Sequence, residues 1–159
     1  MVHTIYLGLG SNLGDRQAAL DAALASLAPR VKTILRSPIY ETAPWGFTDQ
    51  PDFLNQVVQA ETDLPPEELL ALLKATEREM GRQTRIRNGP REIDIDILLY
   101  DDLVMDEAGL RLPHPNLQER VFVLAPLADI APDLIIPGQG RTVSALLAPL
   151  DQTGIRTFQ

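Results

Sequence analysis

Asp94 and Asp96 are the residues of this sequence whose types and spacing best suit chemistry. They alternate with isoleucine in Ile93-Asp94-Ile95-Asp96-Ile97-Leu98-Leu99, a period of two that reads as a strand. Side chains alternate along a strand, so both carboxylates share one face, with Cα atoms about 6.6 Å apart. Ile93, Ile95, Ile97 and Leu99 take the other face. Paired carboxylates on a rigid element can grip one divalent cation, or two about 3.5–4 Å apart. Hard cations such as Mg²⁺ take oxygen ligands and share them with substrate phosphates. Immediately upstream, residues 78–91 carry Arg78, Arg82, Arg85, Arg87 and Arg91 against the single acid Glu79. That segment is +4 in a chain of formal net charge -8, so the basicity is concentrated. Guanidinium forks match phosphate oxygens. The expectation is a magnesium–nucleotide phosphoryl-transfer site; the bland alternative is a solvated Asp-x-Asp face with solubilising arginines.

The rest of the chain sets bounds on that reading. At 159 residues it is expected to form one domain over 1–159, able to bury about 68–70% of its unfolded surface. A pI near 4.7 argues against general nucleic-acid or anionic-membrane binding, because no broad basic field exists. Cysteine is absent, which excludes disulfides and thiol nucleophiles. His3 and His114 are the only histidines, too few for most histidine-rich metal centres. The start meets glycine too early for a signal peptide and no run reaches transmembrane length, so a cytoplasmic monomer is expected.

The elements that must position the acids can be read in order. Residues 4–9 alternate as a first strand, with Ile5, Leu7 and Leu9 on one face and Thr4, Tyr6 and Gly8 on the other. Gly8-Leu9-Gly10-Ser11-Asn12-Leu13-Gly14 follows as a turn into a helix carrying Leu20, Leu24 and Leu27. Its third glycine is one residue late for a dinucleotide fingerprint, and no Gly-Lys pair permits a Walker loop. Tight-turn duty is the expectation for these glycines. Residues 31–37 read as a second strand, 39–47 as a loop, and 53–61 as a third strand. A helix from Pro65-Pro66 buries Leu69, Leu72, Leu73, Thr76 and Met80 and stops at Gly81, with Lys74 and Glu77 off the buried stripe. After the acidic strand come a polar return, a short helix that Asn116 could cap, an apolar run to Ile130, an extended piece and a closing helix over 143–147.

Other candidates cluster along this path. Phe53 and Asn55 share a strand face, a stacking platform beside an amide that can read a flat heterocycle; a core phenylalanine and a turn-proximal asparagine would look the same. Trp45 is a lid or a loop anchor. His114, between two prolines, could donate to a phosphate or satisfy local backbone. The order β-α-β-β-α-β through residue 100 is the split βαβ plan, an α+β ferredoxin-like antiparallel sheet with a C-terminal extension. Its helices would lie on one face and leave the other free for ligands.

The residues also resemble a family. Gly10-Ser11-Asn12-Leu13-Gly14, Tyr40-Glu41-Thr42-Ala43-Pro44, Asp49-Gln50-Pro51-Asp52-Phe53-Leu54-Asn55, Gly81-Arg82, Arg87-Asn88-Gly89-Pro90-Arg91, Asp94-Ile95-Asp96-Ile97-Leu98, Pro113-His114-Pro115 and Glu119-Arg120-Val121-Phe122-Val123-Leu124 are similar to the 6-hydroxymethyl-7,8-dihydropterin pyrophosphokinases. The resemblance covers nearly the whole length and implies pyrophosphate transfer from ATP to a pterin alcohol. It implies that Asp94 and Asp96 bind two Mg²⁺ ions, and that Arg82 and Arg91 neutralise the transferred group, with Asp96 also catalytic. It implies that Phe53 and Phe122 sandwich the pterin while Asn55 and the backbone of Thr42, Ala43, Pro44 and Trp45 read its edge. Glu77, His114, Arg120 and the backbone near Ile97 would line the ATP site. Pro115 stands where some members carry an aromatic residue, so no stacking is assigned there.

Three rivals differ in class. Another Mg²⁺ nucleotide enzyme using Asp-x-Asp, such as a sugar-nucleotide transferase, would give a glycosylated acceptor. An RNA-recognition module shares the split βαβ plan but needs an aromatic-rich pattern this acidic chain lacks. A regulatory module would bind a small molecule without turnover.

Overall fold

The computed structural model describes residues 1–44, 49–81, 92–107 and 109–158. Its centre is strand β1 (His3–Ser11), flanked by β4 (Phe53–Thr62) and β5 (Asp94–Tyr100), both antiparallel to it. Helix α1 (Arg16–Leu27) starts where the Asp15 carboxylate accepts the Ala18 N–H at 3.1 Å, satisfying one of the donors a helix start leaves unpaired. Strand β2 (Val31–Arg36) pairs with β4, as does the short β3 (Tyr40–Thr42) further along the same edge. Helix α2 (Pro66–Glu79) has Glu67 and Glu68 in its first turn, where they favour the helix dipole. Gly81, at φ +93°, follows its end in the left-handed region. The C-terminal part adds the hairpin β6 (Met105–Glu107) and β7 (Leu110–Leu112), then α3 (Val121–Ile130), α4 (Val143–Leu147) and β8 (Ile155–Thr157). The main sheet runs β5-β1-β4-β3-β8, with β2 also on β4. The fold is therefore a mixture of helices with an antiparallel sheet.

Two apolar layers explain how the sheet is held. Ile5, Leu7, Leu9, Leu54, Val58, Ile93, Ile95 and Ile97 face α1 and α2, where Leu20, Leu24, Leu27, Leu69 and Leu73 close the main core. Each such leucine, once buried, contributes about 1.5–3 kcal/mol of transfer free energy. On the opposite face Tyr6, Val57, Leu98 and Leu99 pack with Leu124, Leu127, Val143 and Leu146 of α3 and α4. The face expected to be free for ligands is thus partly covered. Large apolar side chains on both sides of a sheet demand cover on both sides, and the C-terminal helices supply it.

Three further expectations change. Part of the expected 39–47 loop is β3, because the backbone of residues 40–42 finds partners on β4 and on β8. Leu99 does not share the face of Ile93, Ile95 and Ile97, because the register shifts between Tyr6/Leu7. Tyr6 pairs with Leu99 and Leu7 with Ile97, so Leu98 is an extra residue that reverses the alternation beyond it. Tyr100 accordingly enters the main core, donating its hydroxyl to the Leu64 carbonyl at 2.6 Å. Asn116 precedes the 3-10 turn Leu117–Glu119, but its side chain makes no capping bond. Among the described residues no helix is long and apolar enough to cross a membrane.

Candidate active site

The bulge lies beyond the acids, so the alternation holds where it matters. Ile93, Ile95 and Ile97 are in the core, while Asp94 and Asp96 line a cleft of about 150 Å³ on the other face. The sheet register explains what surrounds them. Gly10 pairs with Asp94 on one side and with Asn55 on the other; Gly8 pairs with Asp96 and with Val57. Two strand glycines therefore separate the acids from the amide. A Cβ on Gly10 would stand 3.2 Å from Asn55 Oδ1 and 3.8 Å from Phe53 Cδ1, and one on Gly8 would stand 3.3 Å from Leu98 Cδ2. Their bare backbone is the cleft floor. Gly8 lies in the first strand, as its place in the 4–9 alternation implies. Gly10, expected in a tight turn, also lies inside β1, and of the three glycines only Gly14 has a positive φ, +67°. Glycine within a strand often marks a close approach, and the sheet register decides which strands approach here.

The donor set suits a hard cation. Two carboxylates project from one strand face over glycines that leave space beside them, and among the described residues no group of three or more His, Cys, Asp or Glu gathers to complete an all-protein cage. A cation that keeps water and takes phosphate oxygens needs no more than that.

Across the floor, Asn55 Nδ2 donates to Thr42 Oγ1 at 2.8 Å, buried between β4 and β3. This bond fixes the amide plane beside Phe53, which pairs with Thr42. Phe122 and Arg120, at the start of α3, line the same cleft, and the Arg120 guanidinium lies 5.7 Å from the Phe122 ring centre. The two phenylalanines thus come from different layers, one from the sheet and one from a helix laid over it. Tyr40 joins those layers by donating its hydroxyl to Asp129 of α3. Burial and that bond push the Tyr40 phenol up to about 12.

His114 enters from the loop after β7, where its N–H donates to the Leu98 carbonyl at 3.0 Å. Its Nδ1 accepts the Asn116 N–H at 3.3 Å, leaving Nε2 as the donor of a neutral ring. Burial, with the Arg120 charge second, pulls its pKa down to about 4. A neutral imidazole, tied to β5 at Leu98, and the Arg120 guanidinium therefore both line the cleft.

Nine expected residues converge on this cleft: Thr42, Ala43, Phe53, Asn55, Asp94, Asp96, His114, Arg120 and Phe122. Pro44 follows them, half-buried. Ile97 is in the core behind the cleft, opposite Leu7 on β1. Glu77, expected off the buried stripe, is only 2% exposed. The stripe is wider than drawn because the carboxylate meets β5, where it accepts the Ile95 N–H at 2.7 Å. Trp45, Arg82 and Arg91 lie outside the described residues.

Comparison with known proteins bears on the family and the fold. A family model for 7,8-dihydro-6-hydroxymethylpterin-pyrophosphokinase matches residues 6–132. A 2-amino-4-hydroxy-6-hydroxymethyldihydropteridine pyrophosphokinase of Methylorubrum extorquens is 49% identical over 97% of this chain and 98% of its own. One from Aquifex aeolicus is 48% identical over 84% of each. Among solved structures, a Plasmodium falciparum HPPK-DHPS chain superposes with a TM-score of 0.76 at 16% identity, covering 94% of this chain. This chain spans 45% of that fused protein, and the likeness there is one of fold. With the family model matching most of its length and close relatives aligned almost end to end, this chain belongs to the 7,8-dihydro-6-hydroxymethylpterin-pyrophosphokinase family.

Proposed function

We propose that this chain transfers pyrophosphate from ATP to the hydroxymethyl oxygen of 6-hydroxymethyl-7,8-dihydropterin, releasing AMP, in folate biosynthesis. One observation carries the reading: the acid pair and the aromatic–amide slot open into one cleft, separated only by Gly8 and Gly10. Phe53 and Phe122 stack on the two faces of the pterin. Asn55, held by Thr42, reads its edge together with the backbone of residues 42–45. That pose directs the hydroxymethyl group toward Asp94 and Asp96. His114 donates from Nε2 to phosphate or ribose, and Arg120 adds charge beside it. Glu77 supports the nucleotide side from behind the sheet, through its bond to the Ile95 N–H. The backbone near Ile97 lies on that side, and Arg82 and Arg91 neutralise the transferred group.

Asp94 and Asp96 would hold Mg²⁺, two ions in this reading, which supplies charge neutralisation of the triphosphate when bound. The chain's own residues align the pterin oxygen with the β-phosphorus. An O–P bond forms there as the hydroxyl gives up its proton to water, the bond from that phosphorus to the oxygen shared with the α-phosphate breaks, and AMP departs with that oxygen. Phosphoryl transfer needs mainly such positioning and charge balance. The wider reading is a ferredoxin-like split βαβ sheet with a C-terminal extension, one domain over 1–159, acting as a cytoplasmic monomer. Incubation with ATP, Mg²⁺ and the dihydropterin alcohol should release AMP together with a pyrophosphorylated pterin. ATP consumption without dependence on the pterin would overturn the assignment.

A further inference from the structure

Strand β8 stands outside the site described so far, yet it is tied to the pterin side of the cleft. It pairs with β3 in register, Thr42 opposite Ile155 and Tyr40 opposite Thr157, and the Phe158 N–H continues to the Ile39 carbonyl at 2.8 Å. Side chains reinforce the pairing. Arg156 Nη2 lies 2.9 Å from Glu41 Oε1 and 2.9 Å from Asp52 Oδ2. The other Glu41 oxygen takes Arg16 Nη1 at 2.6 Å, and the same nitrogen donates to the Asp52 carbonyl at 3.0 Å. The Arg16 guanidinium rests 5.5 Å from the Phe158 ring centre. Glu41 and Asp52 immediately precede Thr42 and Phe53, the paired residues that hold the amide and the stacking ring.

We propose that Arg156 is a positioning residue for the pterin. It bridges two carboxylates that would otherwise repel, and so holds β3 and the start of β4 at the spacing that Thr42–Asn55 and Phe53 require. The inference rests on the pyrophosphokinase reading and deepens it. Among the described residues Arg156 bonds to Glu41 and Asp52, which precede the pterin-side residues Thr42 and Phe53, so its effect falls on one substrate. Glu41 is the better shielded partner, its side chain 19% exposed against 58% for Arg156, so the guanidinium lies across the carboxylate from the solvent side.

Steady-state kinetics of the full chain as Arg156→Ala and Arg156→Lys test this. The expected result for Arg156→Ala is a KM for the dihydropterin alcohol raised about tenfold, with KM for ATP within about twofold and kcat nearly kept. Arg156→Lys should recover part of the loss, since its ammonium keeps a positive charge between the two carboxylates, which Arg156 meets through the single nitrogen Nη2. An unchanged pterin KM overturns the proposal. So does an equal rise in both KM values, which would mark general loosening. If the unaltered chain itself releases no pterin-dependent AMP, the activity reading has failed, and this inference with it; if it does and Arg156→Ala matches it, only the inference has failed.

Discussion

Glu77 and Ile95 are joined by a 2.7 Å hydrogen bond in which a carboxylate of α2 accepts the backbone N–H of the residue between the two acids. The bond passes through the main core, and the Glu77 side chain is 3% exposed with Lys74 Nζ 3.5 Å away. A carboxylate is thus used from behind the sheet to hold the strand that presents two more carboxylates in front.

Replacing Glu77 separates that role from direct contact with nucleotide. Glu77→Ala leaves a buried N–H without this acceptor and should destabilise the fold by about 1–3 kcal/mol. Glu77→Gln keeps an amide oxygen for Ile95 and should retain most of the stability. Urea denaturation of both variants, with KM for ATP measured alongside, gives the answer. A large rise in KM for ATP in a Glu77→Gln protein of normal stability would place the carboxylate on the nucleotide instead.

Asp96→Ala should abolish AMP release, lowering kcat by at least about 100-fold, the scale seen when a group stabilising transition-state charge is lost. The fold should survive, because Asp96 faces the cleft and not the main core. Circular dichroism and turnover on the same sample check both halves. Near-normal turnover would remove Asp96 from the metal site.

Gly10→Ala puts a methyl 3.2 Å from Asn55 Oδ1, closer than ordinary van der Waals contact. Either the amide turns away from Thr42 or the slot closes on the pterin. The expected effect is a rise of about tenfold in pterin KM with little change for ATP. Gly14→Ala, with nothing near its added Cβ but a φ of +67°, should cost stability and leave KM alone. Matching effects from the two would deny Gly10 its place in the floor.

His114 sets a pH dependence. Its folded pKa of about 4 lies below its ordinary 6.5, so between those values the unfolded chain binds the extra proton more readily. The His114 contribution to stability is therefore complete above about pH 6.5 and is lost as pH falls toward 4. Wild type should lose more stability between pH 7 and pH 5 than His114→Gln does. Equal losses would show that the ring titrates freely.

Much of this was legible along the chain because it depends on short-range alternation. Asp94 and Asp96 share a face wherever a strand runs through them, and Phe53 with Asn55 obeys the same rule on β4. The amphipathic spacing of Leu20, Leu24 and Leu27 located α1 for the same reason. Glu77 was harder, since a charged residue one step beyond an apolar stripe is usually solvated, and only a waiting N–H on β5 makes its burial favourable.

What the sequence determined by itself was therefore local: periods of two and 3.6, the turn residues that interrupt them, and the family signature they spell. The tertiary structure alone decided the rest. Leu98 as the extra residue of a bulge, Gly8 and Gly10 as a floor, α3 laid over the second face, and β8 clamped to β3 by Arg156 all depend on partners far along the chain. Arg156 and Glu41 are separated by 115 residues, and no local period carries information across that distance. Such contacts form because backbone groups and apolar faces must find partners when water is expelled, and which partner they find is settled only by the assembled sheet.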